Sequence, residues 1–489
     1  MTLAISAATA TADTAITIYS KAQPGAVDPA LYRPTEGDHY PSPAVPGYAI
    51  VRQDKTLSIE KGRSEIKMTD VAALIDPTTV RFESLTDPEG LRVLEQDFRF
   101  DLVGTRKLLS KFIDQEIQVF QGVGDSLVET KGRLLSTDGG LVLERDDGSV
   151  SVLSDWQNVS LGALPGGLMT RPTLVWDLNA SRGGEHKTRL SYETKGTTWW
   201  ADYNLLWTPE GDGNTGTLGV GAWVSVLNQS GASYDNAKLK LIAGDVQRAE
   251  ANVAPQPEMA MMRSAAVDLA DSGFDEKALF EFHLYTLDRP TSIPNNATKQ
   301  IELFAQVAAV PARKRLIYSP SGTAYFGSMP RYLRRNADKV NAFIEFDNSR
   351  KNGLGIPLPA GRVRVSQLDD ADQSIEFIGE DIIDHTPRNE SLNILVGSAF
   401  DVLGARSVTA SNRDNSRRVM EETVEITLTN RKTVAQPVTV LEQLNRSQNS
   451  EILEASDRYE KEHAFQIAFE VTVPADSKKT IRYRVRYTW

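Results

Sequence analysis

Between Phe377 and Pro387 the run FIGEDIIDHTP places Glu380, Asp381, Asp384 and His385 within six residues. Carboxylates and an imidazole this close in sequence are the residue types that ligate a metal or exchange a proton in acid–base chemistry. On a strand, Glu380 and Asp384 point to one side and Asp381 and His385 to the other, so the four converge only across a bulge. A metal role for Glu380, Asp384 and His385 is therefore the weaker expectation. A polar strand end leading into the Thr386–Pro387 turn is the better one.

A second chemical grouping is TTWWADYNLLW, Thr197 to Trp207. In a strand, Trp199, Ala201, Tyr203, Leu205 and Trp207 share one face, whose composition requires a core. Trp200, Asp202 and Asn204 share the other face. A tryptophan beside a carboxylate and an amide is the composition of a sugar-stacking platform, so these three are the candidate binding residues. The competing expectation is that Trp200 packs beneath a neighbouring loop or domain.

Other patterns carry less. GDGNTG at Gly211 to Gly216 has the letters of a dinucleotide fingerprint, but a strand follows it rather than a helix N-terminus, so a hairpin loop is expected. Met259, Met261 and Met262 are soft ligands that more often make adaptable apolar contacts. The acidic turns Asp146-Asp147-Gly148 and Asp369 to Asp372 lack the spacing of a calcium loop. Basic clusters at Arg313 to Arg315, Arg331 with Arg334-Arg335, and Arg417-Arg418 read as isolated surface charge. No Walker A, G-x-S-x-G or H-E-x-x-H pattern occurs, and no catalytic residue or cofactor is assigned.

The elements that must position these residues are strands. Apolar residues alternate with polar ones at period two between short Gly, Pro, Asn and Asp clusters, which predicts a mainly β, multi-domain chain of immunoglobulin-like sandwiches. A strand–turn–strand device recurs at Leu57 to Met68, Ile356 to Val365 and Val471 to Tyr487, and each is expected to be an antiparallel hairpin. Residues 13–103 are read as an N-terminal sandwich with a Pro/Gly-rich loop at 21–47. Residues 104–163 are a small insert: a helix at Thr105 to Ile113, then four short strands with tight Asp-Gly turns, suggesting an SH3-like or Sm-like barrel. Residues 164–347 form a central sandwich with a mobile loop at 249–273, and residues 348–489 a C-terminal one.

Length and composition bound the function. A chain of 489 residues with 40% hydrophobic content exceeds one ordinary core. A net charge of −11 argues against a nucleic-acid partner, and the absence of cysteine removes disulfides, thiolate nucleophiles and zinc–thiolate sites. No apolar run reaches the ~18 residues of a membrane-spanning helix. MTLAISAATATA ends in Ala10-Thr11-Ala12, which has the form of a signal-peptidase site but lacks a basic region ahead of it. Either the chain starts at an internal Met, downstream of a signal peptide, or residues 1–12 are a disordered terminus. Export to the periplasm, cell surface or exterior is the expectation.

KNGLGIPLPAGRVRV (Lys351 to Val365), FIGEDIIDHTP, GVGAWVSVLNQSGASYDNAKLKLIAGDV (Gly219 to Val246) and VAALIDPTTVRFESLTDPEGLRVLEQ (Val71 to Gln96) resemble the bacterial domain of unknown function 4139 family, with mucoidy-inhibitor-like proteins as distant members. The resemblance runs from about Asp13 to Trp489 and implies an architecture, not an activity. Mucoidy-inhibitor-like relatives usually carry a long coiled coil, and sustained heptads are missing here. The leading expectation is an exported, non-catalytic interaction or scaffold protein of the bacterial envelope with a protein or glycan partner. The rivals are a glycan hydrolase using two of the 65 acidic residues, and, on the alternation of IRYRVRYTW, an outer-membrane barrel.

Overall fold

β-Branched and aromatic residues at every second position give each segment one face to bury, and the chain answers with strands almost throughout. The computed structural model describes residues 13–20, 27–32, 44–100, 105–123, 126–162, 171–244, 246–247, 274–320, 339–369 and 371–489. The expectations for residues 1–12, for most of 21–47, for 249–273 with its three methionines, and for Arg331, Arg334 and Arg335 fall outside these.

In chain order the first strands are β1 (Asp13–Ser20), β2 (Gly47–Ile59), β3 (Gly62–Met68), β4 (Ile75–Ser84) and β5 (Leu91–Arg99). Helix α1 (Thr105–Lys111) leads into β6 (Glu116–Val123), β7 (Ser126–Ser136), β8 (Leu141–Glu144), β9 (Val150–Leu153) and β10 (Asn158–Ser160). Then come β11 (Thr173–Ala180), β12 (Gly184–Lys195), β13 (Thr197–Glu210), β14 (Thr215–Asn228) and β15 (Tyr234–Ala243). After these run β16 (Phe274–Leu279), β17 (Phe282–Leu287), β18 (Thr291–Ile293), β19 (Ala297–Tyr318) and β20 (Lys339–Asp347). The chain ends with β21 (Gly361–Leu368), β22 (Ile375–Ile383), β23 (Ser391–Asp414), β24 (Val419–Asn430), β25 (Gln436–Gln443), β26 (Asn449–Ala455), β27 (Tyr459–His463), β28 (Gln466–Val473) and β29 (Ser477–Thr488).

These strands form an 8-stranded, a 5-stranded, a 3-stranded and a 13-stranded sheet, and among the described residues none closes into a barrel. The insert, expected as a small barrel, is an open sheet in the order β10-β6-β7-β8-β9, because its two outer strands do not pair with each other. Its own core gathers Leu109 and Phe112 of α1 with Ile117, Val119, Leu134, Leu141, Leu143 and Leu153.

The three expected hairpins are corrected by the pairing. β2 pairs with β1 and β12 while β3 pairs with β11, and β28 pairs with β25 and β27 while β29 pairs with β24 and β26. Each of these turns therefore carries the chain from one strand neighbourhood to another. In the third case, Pro357 and Pro359 remove ladder donors, and only an isolated Leu358–Thr386 bridge precedes β21. The terminal strand β29 is flanked on both sides, by β24 and β26. Its arginines meet acids there: Arg486 Nε donates to Glu421 at 2.9 Å, and Arg482 lies opposite Glu425.

A buried asparagine ends three strands in the same way. Asn228 Nδ2 donates to the carbonyls of Ala232, Ile293 and Pro294, Asn348 Nδ2 to those of Ile356 and Pro387, and Asn430 Nδ2 to those of Val434, Val473 and Pro474. Two residues beyond each of these prolines the backbone is left-handed, at Asn296 (φ 54°), Asn389 (φ 65°) and Asp476 (φ 42°). Asn and Asp tolerate that conformation better than other side-chain-bearing residues. The register repeats too: Asn228 faces Ala297, Asn430 faces Ser477, and Asn348 exchanges backbone hydrogen bonds with Asn389 and Glu390. After each asparagine the next strand joins an earlier one in parallel: β15 with β1, β21 with β13, β25 with β19.

The long strands link these units. β19 pairs with β14 and then with β20, and β23 pairs with β20 and then with β24. Hydrogen bonding is thus continuous across position 347/348, where the sequence suggests a boundary. The larger core runs from Ile16 and Ile18 through Trp199, Tyr203 and Val363 to Ile394, and a second core gathers Leu316, Val424, Phe469 and Tyr483.

Candidate functional site

The inner face of β13 is as its alternation requires: Trp199, Ala201, Tyr203, Leu205 and Trp207 are all buried in the larger core. The outer face carries the chemistry, in cross-strand rows. One row holds Glu380, Arg364, Asn204 and Gly221, and the next Ile382, Arg362, Asp202, Trp223 and Glu302. A third holds Trp200, Ser225 and Gln300.

Within these rows Asp202 and Glu380, which the sequence places in separate groupings, are joined by two guanidiniums. Arg362 donates to Asp202 Oδ1 through two nitrogens at 3.2 Å each, and Arg364 Nε donates to Glu380 Oε2 at 3.1 Å. A second Arg364 nitrogen lies 3.5 Å from Asp202. Asp202 is buried, and Ser225 Oγ donates to its other oxygen at 3.4 Å. This ladder ties the charged side chains of β22, β21 and β13 to one another.

The two tryptophans of this face differ in cover. Trp200 is only 8% exposed, packed by Val27, Leu31 and Leu227, with the Tyr32 ring 5.7 Å away. Gln229 Nε2 donates to the Leu31 carbonyl at 2.7 Å and fixes that cover in place. Trp200 thus packs beneath a loop, as the competing expectation had it. Trp223 is 39% exposed, opposite Asp202 on one side and exposed Glu302 on the other. Asn204 is exposed, and the glycines of β14, Gly219 and Gly221, leave room that the exposed Gln306 lies against. Indole, carboxamides, guanidinium and carboxylate on one sheet face are the groups that stack on and hydrogen-bond a sugar ring. Trp223 and the two arginines did not emerge from the sequence reading, although Trp223 alternates with Gly219 and Gly221 on the outward side.

Glu380, Asp384 and His385 are not brought together. Glu380 belongs to the arginine ladder, while Asp381 turns towards β23 and accepts the Leu395 N–H at 2.7 Å. Asp384 and His385 follow the end of β22, where His385 Nδ1 accepts the Ala360 N–H at 3.0 Å. Among the described residues no group of three or more His, Asp or Glu is placed to hold a metal.

Two other polar clusters are closed to solvent. Ser84 Oγ and His186 Nδ1 lie 3.0 Å apart, both buried, with Ser84 also accepting the Asp87 N–H. Glu442 is fully buried in the second core, with both oxygens 3.0 Å from Arg406 Nε and the Tyr483 hydroxyl donating to one of them. Burial pushes the Glu442 carboxyl up, against the opposing pull of Arg406 and Tyr483.

No curated protein and no solved structure matches the chain. The family profile described as a domain of unknown function (DUF4139) matches residues 188–489, a span that contains every strand of the outer-face strip. The chain belongs to the DUF4139 family.

Proposed function

We propose that this protein is an exported, non-catalytic binding protein that docks a glycan on the outer face of β22, β21, β13, β14 and β19. The observation that carries the reading is Trp223, an indole exposed on a strip that also carries Asn204, Glu302, Arg364 and Glu380, with Ile382 exposed at its β22 edge. A sugar ring stacks on the indole while Asn204, Glu302, Gln306 and the outer edge of Arg364 offer donors and acceptors to its hydroxyls. The ion-pair ladder behind them keeps the strip pre-organised, which lowers the ordering cost of binding. Around it we read the three asparagine-closed units as immunoglobulin-like modules, and residues 104–163 as an Sm-like insert on the strength of the helix and the strand order. The Ala10-Thr11-Ala12 pattern supports export.

A glycan array on the full chain tests the reading, followed by titration of any ligand found. Trp223→Ala should weaken binding by about 1 to 3 kcal/mol, roughly five- to 150-fold, with an unchanged melting temperature. Trp200→Ala should instead destabilise the fold by about 3 kcal/mol through the void beneath residues 27–32. Binding that survives Trp223→Ala and Asn204→Ala together would move the site elsewhere.

A further inference from the structure

Two strands near the end of the chain close their runs of pairing: β26 pairs only with β29, and β27 only with β28, among the described residues. Both line one cavity of about 250 Å³. Its wall takes Asn449, Ser450 and Glu451 from β26, Lys461 from β27, and Arg486 and Thr488 from β29. Two rungs of the β26–β29 ladder belong to it, with Asn449 facing Thr488 and Glu451 facing Arg486.

Much of this wall is polar and unpartnered. The side chains of Gln448, Asn449, Lys461 and Thr488, all at the cavity, make no hydrogen bond or ion pair among the described residues. The Ser450 hydroxyl oxygen is closed to solvent and also lacks a hydrogen-bond partner. A buried hydroxyl in that condition costs the folded state, so a polar group brought to it would be held. Arg486 is half committed: Nε and one terminal nitrogen reach Glu421 at 2.9 and 2.8 Å. Its other terminal nitrogen lies 3.7 Å from Glu451, beyond hydrogen-bond range, and Glu451 has no closer partner among the described residues. Elsewhere on β29 a charge is matched at shorter range, as Lys479 is by Asp457 at 2.6 Å.

The cavity therefore presents both signs of charge, Lys461 and the outer nitrogen of Arg486 against Glu451. A simple anion held there meets Glu451 as a like charge, a simple cation meets Lys461, and a neutral sugar leaves both unmatched. A ligand with both signs close together avoids all three costs. We propose that this cavity binds a zwitterion of the α-amino acid class, with its carboxylate between Lys461 and Arg486 and its ammonium on Glu451. Ser450 and the carboxamides of Gln448 and Asn449 offer it neutral donors and acceptors. The volume lies below the ~300 to 1,000 Å³ of sites for drug-sized ligands, which limits the occupant to about one residue. None of β26, β27 and β29 carries the glycan strip, so the two readings stand or fall separately.

The test is thermal shift and titration calorimetry of the full chain with each standard α-amino acid at up to about 10 mM. The tightest binder is then compared with its α-amide, which lacks the carboxylate, and its N-acetyl form, which lacks the ammonium. Each loss should weaken binding about tenfold or more. In Lys461→Gln the penalty on the α-amide should shrink, and in Glu451→Gln the penalty on the N-acetyl form should vanish, both with unchanged melting temperatures. Ser450→Ala should weaken binding about threefold while the melting temperature stays level or rises, because a methyl group needs no partner. No binding by any amino acid at about 10 mM would overturn the proposal. So would glucose, acetate or ethylamine binding as tightly as the amino acid, or penalties that are the same in the variants as in the native chain.

Discussion

Tyr203 and Tyr285 show what single residues of the proline-rich run depend on. Their hydroxyls, both in the larger core, donate to the carbonyls of Pro359 at 2.7 Å and Pro357 at 3.0 Å. A segment whose prolines cannot donate to a ladder is thus held through its acceptors. Burial pushes both phenols well above the ordinary value of 10. The neutral form is favoured in the folded state, so the stability it contributes is complete below the unfolded value and is lost as pH rises beyond it. Denaturant melts from pH 8 to 11 should show stability falling above about pH 10, and Tyr203→Phe with Tyr285→Phe should make that fall shallower without removing it, since burial also pushes up Tyr192, Tyr234, Tyr483 and Tyr487, while costing about 1 kcal/mol each at pH 8. A fall of the same steepness in the double variant would assign it to other groups. At this scale the inner face of β13 was legible because alternation alone dictates it. The cover on Trp200 was not, since it comes from residues about 170 positions earlier, and no local pattern encodes so distant a contact.

At the scale of elements, strand positions were readable and strand partners were not. The sequence places a helix at Thr105 and short strands joined by Asp-Gly turns where α1 and β6 to β9 lie, and it identifies the Gly211 to Gly216 run as the loop between β13 and β14. It reads the strand–turn–strand devices as hairpins because a turn looks alike whether the next strand pairs back or departs. What decides the matter is the clamp at the strand end. Asn430 and Asn228 each tie three carbonyls, two of them from the segment just before the returning strand, so the clamp sets the register of β24 with β29 and of β14 with β19. Asn430→Ala strands buried carbonyls and should cost about 2 to 4 kcal/mol in urea melts, and Asn430→Asp should cost at least as much, because a carboxylate cannot donate to them. Near-neutral Asn430→Asp would show that the amide donors contribute little. The signal was present in the sequence as Pro-x-(Asn/Asp) at Pro294, Pro387 and Pro474, each with an isoleucine seven residues on, and reading it required comparing the three copies.

For the molecule as a whole, the long strands make the cores one hydrogen-bonded body, and residues 104–163 stand apart from it. Strands β6 to β10 pair only with one another among the described residues, and their core shares no residue with the other two. The strands on either side, β5 and β11, pair antiparallel with Arg99 opposite Thr173, so the insert leaves and returns at adjacent points of one ladder. Deleting residues 101–170 leaves Phe100, Arg171 and Pro172 between that pair, and replacing these three by Asn-Gly gives the connection such a ladder prefers. The shortened chain should keep the melting transition of the full protein within about 3 °C, since among the described residues the insert's core shares no residue with the other two and Phe98 loses only its ring contact with the exposed Phe100. Residues 105–162 alone should show a separate, weaker transition, as a domain of this size buries little apolar surface. In scanning calorimetry the full chain should then resolve two transitions and the shortened chain one. A shortened chain that aggregates or melts far lower would mean that the insert supports the sheet ladder of β3, β11 and β5, and that the fold is cooperative through it.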